Sequence, residues 1–202
     1  MITLYYAPHT RSIRPRWLLE ELGLPYEIVR LDLEAGDQKR ADYLKMNPNG
    51  TVPTIIDGDM VLFESGAICQ YLADKDPAQR MAPALGTRER ASYYQWIHYA
   101  MSGLEPPAVA IFTHTILRPE AERMRAVAEE ARPRLAAALD VVERALAGRE
   151  FIVGDHLTAA DVMLGSTVAW AMMFFSDRPR PNLSAYVTRL VGRPAYQRAT
   201  AD

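Results

Sequence analysis

The chain reads as an α/β domain followed by an all-helical domain, and three observations predict that division. Strand-like and helical patterns interleave up to about residue 75, a stretch with two prolines and a glycine but no periodicity runs from Asp76 to Gly86, and only helical periodicity follows. The predicted bounds are 1–76 for the first domain, 77–86 for a linker and 87–202 for the helical domain.

Each element has its own reason. Residues 2–6 alternate apolar and polar and stop at Ala7-Pro8, and Tyr26 to Leu31 alternates again after Gly23-Leu24-Pro25, so both read as strands. Ile13, Trp17, Leu18 and Leu22 recur at helical spacing between them, with Gly23 where a C-cap glycine stands. That is a βαβ unit. Gln38 to Met46 predicts a short helix, Ile55 to Phe63 a hairpin turning at Asp57-Gly58, and Ser65 to Lys75 a helix with Ser65 at its start. The order β-α-β-α-β-β-α is that of a thioredoxin-like domain. In the second half, helical patterns run from Arg88 to about Gly103 and from Pro119 to Ala147, broken at Glu105-Pro106-Pro107 and expected to kink or split at Pro133. Leu157-Thr158-Ala159-Ala160-Asp161-Val162 spells a capping box with a hydrophobic staple, and the helix from Ala159 to about Phe174 is apolar on most faces and expected at the centre of that domain.

Composition excludes several function classes. Lys and Arg number 23 against 25 Asp and Glu, with no long block of one sign, so neither nucleic acid nor an anionic membrane surface is the expected partner. No basic leader with an apolar core opens the chain, and no apolar run is long enough to span a bilayer; a cytoplasmic protein is expected. A single cysteine, Cys69, allows no internal disulfide and no Cys-x-x-Cys motif, and it lies in an apolar helix as a core residue would. His98, His114 and His156 have no metal-ligand spacing, so no metal site is expected. Any thiol chemistry must use a thiol brought by a ligand.

The residues that point to a ligand are Asn47 to Ile56 and the pair Glu64-Ser65. Val52-Pro53 belongs at a strand start or edge, because proline donates no ladder bond and leaves adjacent backbone free to pair with an extended ligand. Ser65 at a helix start suits a carboxylate. A socket of this kind fits a zwitterionic peptide.

With Asn-Pro-x-Gly-x-Val-Pro, Glu-Ser, a proline-containing linker and Leu-Thr-x-Ala-Asp in this order, the whole chain resembles the glutathione S-transferase family, here of a bacterial, cytosolic type. The resemblance implies a detoxifying transferase that binds glutathione as co-substrate, without a metal, and acts as a homodimer on a small hydrophobic electrophile or a peroxide. It implies that Val52 pairs its backbone with the cysteinyl part, with Val52-Pro53 cis, beside Thr51 and Pro53. Glu64 and Ser65 would take the γ-glutamyl ammonium and carboxylate, Gln38 or Lys39 the glycyl carboxylate, and Tyr99, Met101, Glu105 and Phe112 the electrophile.

The glutathione thiol must be ionised to react, and the family uses a hydroxyl near the start of the first helix or a tyrosine at the end of the first strand. Three candidates stand here: Ser12, Thr10 and Tyr6. Ser12 is favoured as a natural N-cap before Pro15, where a hydroxyl, free N–H groups and the positive helix end coincide, with Arg11 or Arg14 adding a cation. Two further readings stay open, a disulfide-bond reductase that holds two glutathiones and a binding module that has lost the chemistry.

Overall fold

The computed structural model describes residues 1–76, 78 and 80–201 and folds as two compact units, Met1–Ala82 with Val191–Asp202, and Pro83–Leu190. Within the segment 77–86 expected as a linker, Pro77 and Gln79 lie outside the described residues, as does Asp202 at the end of the range 87–202.

The first unit runs β1 (Ile2–Tyr6), α1 (Ile13–Leu22), β2 (Tyr26–Arg30), α2 (Ala41–Met46), β3 (Thr54–Asp57), β4 (Met60–Phe63) and α3 (Ser65–Asp74). This is the thioredoxin-like order read from the sequence. α2 is shorter than expected, since Asp37–Lys39 forms a separate 3-10 turn before it. The sheet order is β2-β1-β3-β4, with β1 parallel to β2 and the other two pairings antiparallel. α1 supplies the long crossover that a parallel pair needs, and Gly23 ends it in the left-handed region at φ 62°. Leu4, Trp17, Leu18, Ile55, Ile68 and Leu72 are fully buried, each contributing about 1.5–3 kcal/mol through the water it leaves.

Register fixes which loops meet. Tyr5 pairs with Thr54, and Thr54 pairs with Phe63. The end of β1, the start of β3 and the end of β4 therefore share one end of the sheet. From that end emerge the turn 7–12, the Val52-Pro53 segment and Glu64-Ser65. β3 lies between β1 and β4, so Val52-Pro53 precedes an interior strand and does not lie on an edge strand.

One assignment changes. α9 (Pro194–Ala199), expected within the helical half, packs on α1 of the first unit. Tyr196 meets Trp17 edge-on with ring centroids 5.0 Å apart, Arg193 donates twice to Glu21, and Arg198 donates to Glu20 at 2.6 Å.

The second unit contains α4 (Arg88–His98), α5 (Glu105–Phe112), α6 (Arg125–Ala145), α7 (Ala159–Met172) and all but the last residue of α8 (Pro181–Val191). The break expected at Glu105-Pro106-Pro107 falls one turn earlier. A π-helical turn, Tyr99–Leu104, follows α4, and the prolines occupy the first turn of α5, where a missing N–H costs nothing. The helical pattern expected from Pro119 likewise begins later, at Arg125. Pro133 does not split α6; it lies on the exposed stripe, where water can take the carbonyl it leaves unpaired. α7 is buried along most of its length, as its all-round apolarity predicts. Its start is organised by Asp161, whose carboxylate accepts from Thr158 N at 2.9 Å and Thr158 Oγ1 at 3.0 Å, and also from Ile152 N at 2.8 Å and Tyr186 Oη at 2.9 Å. The sequence reading found the Thr158 partnership and missed the other two. Burial pushes the Asp161 carboxyl up while these donors oppose it, and burial beside that carboxyl pushes the Tyr186 phenol well above its usual value.

Candidate functional site

The segment before β3 is held by side chains around its backbone. Asn47 is buried; its Nδ2 donates to Thr51 O at 2.8 Å and to Thr54 Oγ1 at 3.2 Å, while its Oδ1 accepts from Asn49 N at 3.1 Å. Tyr43 Oη donates to Thr51 O at 2.6 Å and lies 2.8 Å from Thr54 Oγ1. Gly50 has φ 59°, and a Cβ there would stand 2.8 Å from both Gln38 O and Lys39 Nζ, so only glycine fits. Lys39 is exposed beside this loop, with Nζ 3.5 Å from Asn49 O. Thr51 is exposed, Val52 half-buried and Pro53 buried, and the Val52-Pro53 bond is cis. Asn47, Tyr43 and Thr54 were not singled out in the sequence; the buried tyrosine in a short helix just before the turn was the available signal.

Glu64 adopts φ 73° and ψ 112°, and Ser65 opens α3. Glu64 is exposed and makes no capping bond, whereas Ser65 is 3% exposed. The first bond of the helix runs from Ile68 N to Glu64 O, so the N–H groups of Ser65, Gly66 and Ala67 have no acceptor among the described residues. Arg14, buried on α1, donates from Nη1 to Ser65 Oγ at 3.1 Å. The sequence reading offered Arg14 only as a possible cation near the thiol. Its helical stripe, shared with Trp17 and Leu18 at i+3 and i+4, was the sign that it points inward. Cys69, one turn along α3, is buried, and burial pushes its thiol up to about 12.

The turn 7–12 departs from expectation. Ser12 is fully buried in αR geometry and makes no capping bond. Its hydroxyl instead donates to Ala7 O at 2.8 Å and accepts from Ala7 N at 3.1 Å. The expected free N–H groups are also spent: Ser12 N donates to Thr10 Oγ1, Ile13 N to Thr10 O and Arg14 N to Arg11 O, and Pro15 has none. Thr10 is half-buried, with Oγ1 2.6 Å from Ser12 Oγ and 2.7 Å from Ala7 O. Ala7 O thus has two hydroxyl donors in reach and needs one, which leaves one proton to spare. Tyr6 is buried in the core, with the Arg16 guanidinium 4.8 Å from its ring centroid. His9, exposed at the tip, has φ 57°, and Arg11 is exposed beside it.

The side chains expected to hold an electrophile lie in the second unit. Tyr99 Oη donates to Ala138 O at 3.3 Å, and Met101 is half-buried in the same π-helical turn. Glu105 is buried at the start of α5. Phe112 packs against Trp170 and Phe174, with centroids 5.4 and 5.5 Å away. No group of His, Cys, Asp and Glu suited to a metal ion occurs among the described residues, and no helix among them is long and apolar enough to cross a membrane.

Comparison with known proteins gives this geometry a family. Residues 1–74 match the model described as Glutathione S-transferase, N-terminal domain, and residues 104–194 match Glutathione S-transferase, C-terminal domain. Glutathione S-transferase 3 of Zea mays is 33% identical over 211 residues, covering 99% of this chain and 93% of its own. A glutathione transferase of Burkholderia graminis, solved with two glutathione molecules per subunit, superposes with a TM-score of 0.90 at 28% identity, covering 100% of this chain and 88% of its own. A glutathione transferase of Phanerochaete chrysosporium, solved with oxidized glutathione, superposes with a TM-score of 0.89 at 28% identity, covering 98% of this chain and 92% of its own. With both domain models matched in order over more than half of its length, the chain belongs to the glutathione S-transferase family.

Proposed function

We propose that this transferase conjugates glutathione, as its thiolate, to a small apolar electrophile or uses it to reduce a peroxide. One observation carries the location: the two non-glycine residues with positive φ among those described, His9 and Glu64, both stand in loops at the same end of the sheet. Backbone strain of this kind costs about 1–3 kcal/mol per residue and collects where a ligand is held. In the proposed pose Val52 pairs its backbone with the cysteinyl unit, flanked by Thr51 and Pro53. Glu64 takes the γ-glutamyl ammonium, Ser65 with the unpaired N–H groups of α3 takes the carboxylate, and Lys39 takes the glycyl carboxylate. Arg11 adds positive charge near the sulfur.

The proton donor to sulfur is proposed to be Thr10. Ser12 and Tyr6 are buried, and Ser12 can satisfy Ala7 O alone, which frees the Thr10 proton for a thiolate. Ser12 then orients Thr10. Catalysis combines this charge-assisted bond with the proximity that a fixed peptide confers. Tyr99, Met101, Glu105 and Phe112 are proposed to contact the electrophile. A cytoplasmic homodimer acting in detoxification is the accompanying proposal, and the solution mass tests its oligomeric part.

A second reading, glutathione-dependent disulfide reduction, is favoured by the relatives solved with oxidized glutathione or with two glutathiones. Retention on immobilised glutathione, followed by assay with a chloroarene, a hydroperoxide and a glutathione mixed disulfide, separates the readings. Conjugation or peroxide turnover is the expected outcome. Turnover of the disulfide alone favours the second reading, and failure to bind glutathione overturns both.

A further inference from the structure

The hydroxyl of Ser65 has one proton and two lone pairs. Arg14 Nη1 donates into one lone pair at 3.1 Å, and no acceptor for the Ser65 proton is found among the described residues. Both side chains are nearly excluded from solvent, at 4% exposure for Arg14 and 3% for Ser65. A hydroxyl held in this way has its proton turned away from the guanidinium. It stands beside the unpaired N–H groups of Ser65, Gly66 and Ala67, so the start of α3 is a cluster of donors with a fixed cation behind it. A cluster of donors accepts a carboxylate on both oxygens and opposes any group that itself donates there.

We propose that Arg14 is a positioning residue that makes the start of α3 selective for a carboxylate, the γ-glutamyl α-carboxylate of glutathione, by fixing Ser65 as a donor. This rests on the reading of Glu64-Ser65 as the γ-glutamyl seat. Arg14 acts on the ligand through its bond to Ser65 and does not touch the reacting atoms. Its position is independent of the thiol machinery at Thr10, so its loss falls on binding more than on chemistry.

The test compares glutathione with its analogue in which the γ-glutamyl α-carboxylate is a carboxamide, on the wild type, Arg14→Met, Ser65→Ala and the double variant. The wild type is expected to bind glutathione at least about tenfold more tightly than the amide, as befits charge-assisted bonds. In Arg14→Met that ratio falls severalfold but stays above unity, because the backbone N–H groups of α3 remain as donors; KM for glutathione rises more than kcat falls, and Ser65→Ala adds little to the loss. A ratio equal to that of the wild type in folded Arg14→Met, or losses that simply add in the double variant, overturns the proposal and leaves Arg14 as a tie between α1 and α3. Should Arg14→Met not fold, Arg14→Lys keeps the charge but not the fork, and an intermediate ratio supports the role while an unchanged one overturns it. A wild type that binds neither compound overturns the glutathione reading itself, an outcome distinct from failure of the Arg14 role.

Discussion

Replacing Thr10 with Val keeps the branched shape and removes one hydroxyl, which isolates the proposed activating proton. A hydrogen bond to a charged group contributes about 1.5–3 kcal/mol. At about 1.36 kcal/mol per pKa unit, its loss raises the pKa of bound glutathione by about 1–2 units. Near pH 6.5 that removes most of the thiolate and lowers kcat/KM by roughly tenfold to a hundredfold. Ser12 still donates to Ala7 O, and the one donor left without an acceptor is the Ser12 N–H, whose bond to Thr10 Oγ1 is long at 3.2 Å, so the stability cost is at the low end of about 1–3 kcal/mol. Ser12→Ala acts differently. It leaves Ala7 N–H buried without an acceptor, at a cost of about 1–3 kcal/mol of stability, and it also commits the Thr10 proton to Ala7 O. Thiolate absorbance of the bound complex, followed against pH, reads the first effect, and urea unfolding reads the second. The reasoning fails if Thr10→Val shifts the bound thiol by less than about half a pKa unit, or if Thr10→Ser does not restore it.

Asp161→Ala strands two buried backbone N–H groups, those of Ile152 and Thr158, that cannot rotate to new partners, so a loss of about 2–6 kcal/mol is expected in urea unfolding. Gly50→Ala forces a Cβ against Gln38 O, which no side chain can relieve; weaker retention on immobilised glutathione is expected before any large loss of stability. Cys69 remains a neutral thiol in the folded protein, so a thiol reagent at pH 8 reacts with it only after denaturant is added. The same thiol imposes a pH dependence. Its folded pKa of about 12 lies above its ordinary value of 9.0, so its contribution to stability is complete below pH 9 and lost as pH rises toward 12, a slope that Cys69→Ala removes.

What the sequence disclosed depended on how local the cause was. Gly23 at a helix end and Asp161 three residues after Thr158 each act within a few positions and stand where the pattern put them, whereas the hairpin turns one residue later than Asp57-Gly58, with Asp57 paired to Met60 and the turn at Gly58-Asp59. The placement of Val52-Pro53 before a strand and of Ser65 at a helix start was legible for the same reason, and the strand register brings the two segments to one end of the sheet. The N-cap role expected of Ser12 is not observed because a hydroxyl at a turn has two uses, and the choice depended on whether its chain bent back toward Ala7. α9 was misplaced because helical periodicity says that a face is buried and not against what. Its partners, Glu21 and Trp17, lie more than 170 residues back in the chain. Arg14 was underread because an arginine in a first helical turn is normally solvated, and only its stripe suggested otherwise.

The two helix starts at the end of the sheet where glutathione is proposed to bind are not equivalent, and the difference would divide their labour. At α1 the N–H groups of Ser12, Ile13 and Arg14 are taken up within the turn, and position 15 is a proline, so little of the helix's positive end faces outward as free donors. An anion placed there must be held by a side chain. At α3 the first N–H groups are unspent, and Arg14 stands behind them, so a carboxylate placed there is held mainly by backbone. A carboxylate is ionised at any physiological pH and needs only to be seated, whereas a thiol has to be tuned. In the proposed pose the Thr10 hydroxyl provides that tuning: its proton, given to Ala7 O in the structure, would turn to the thiolate when glutathione is bound. On this reasoning substitutions at α3 change which peptide binds, and substitutions at Thr10 change the pH at which the bound peptide reacts.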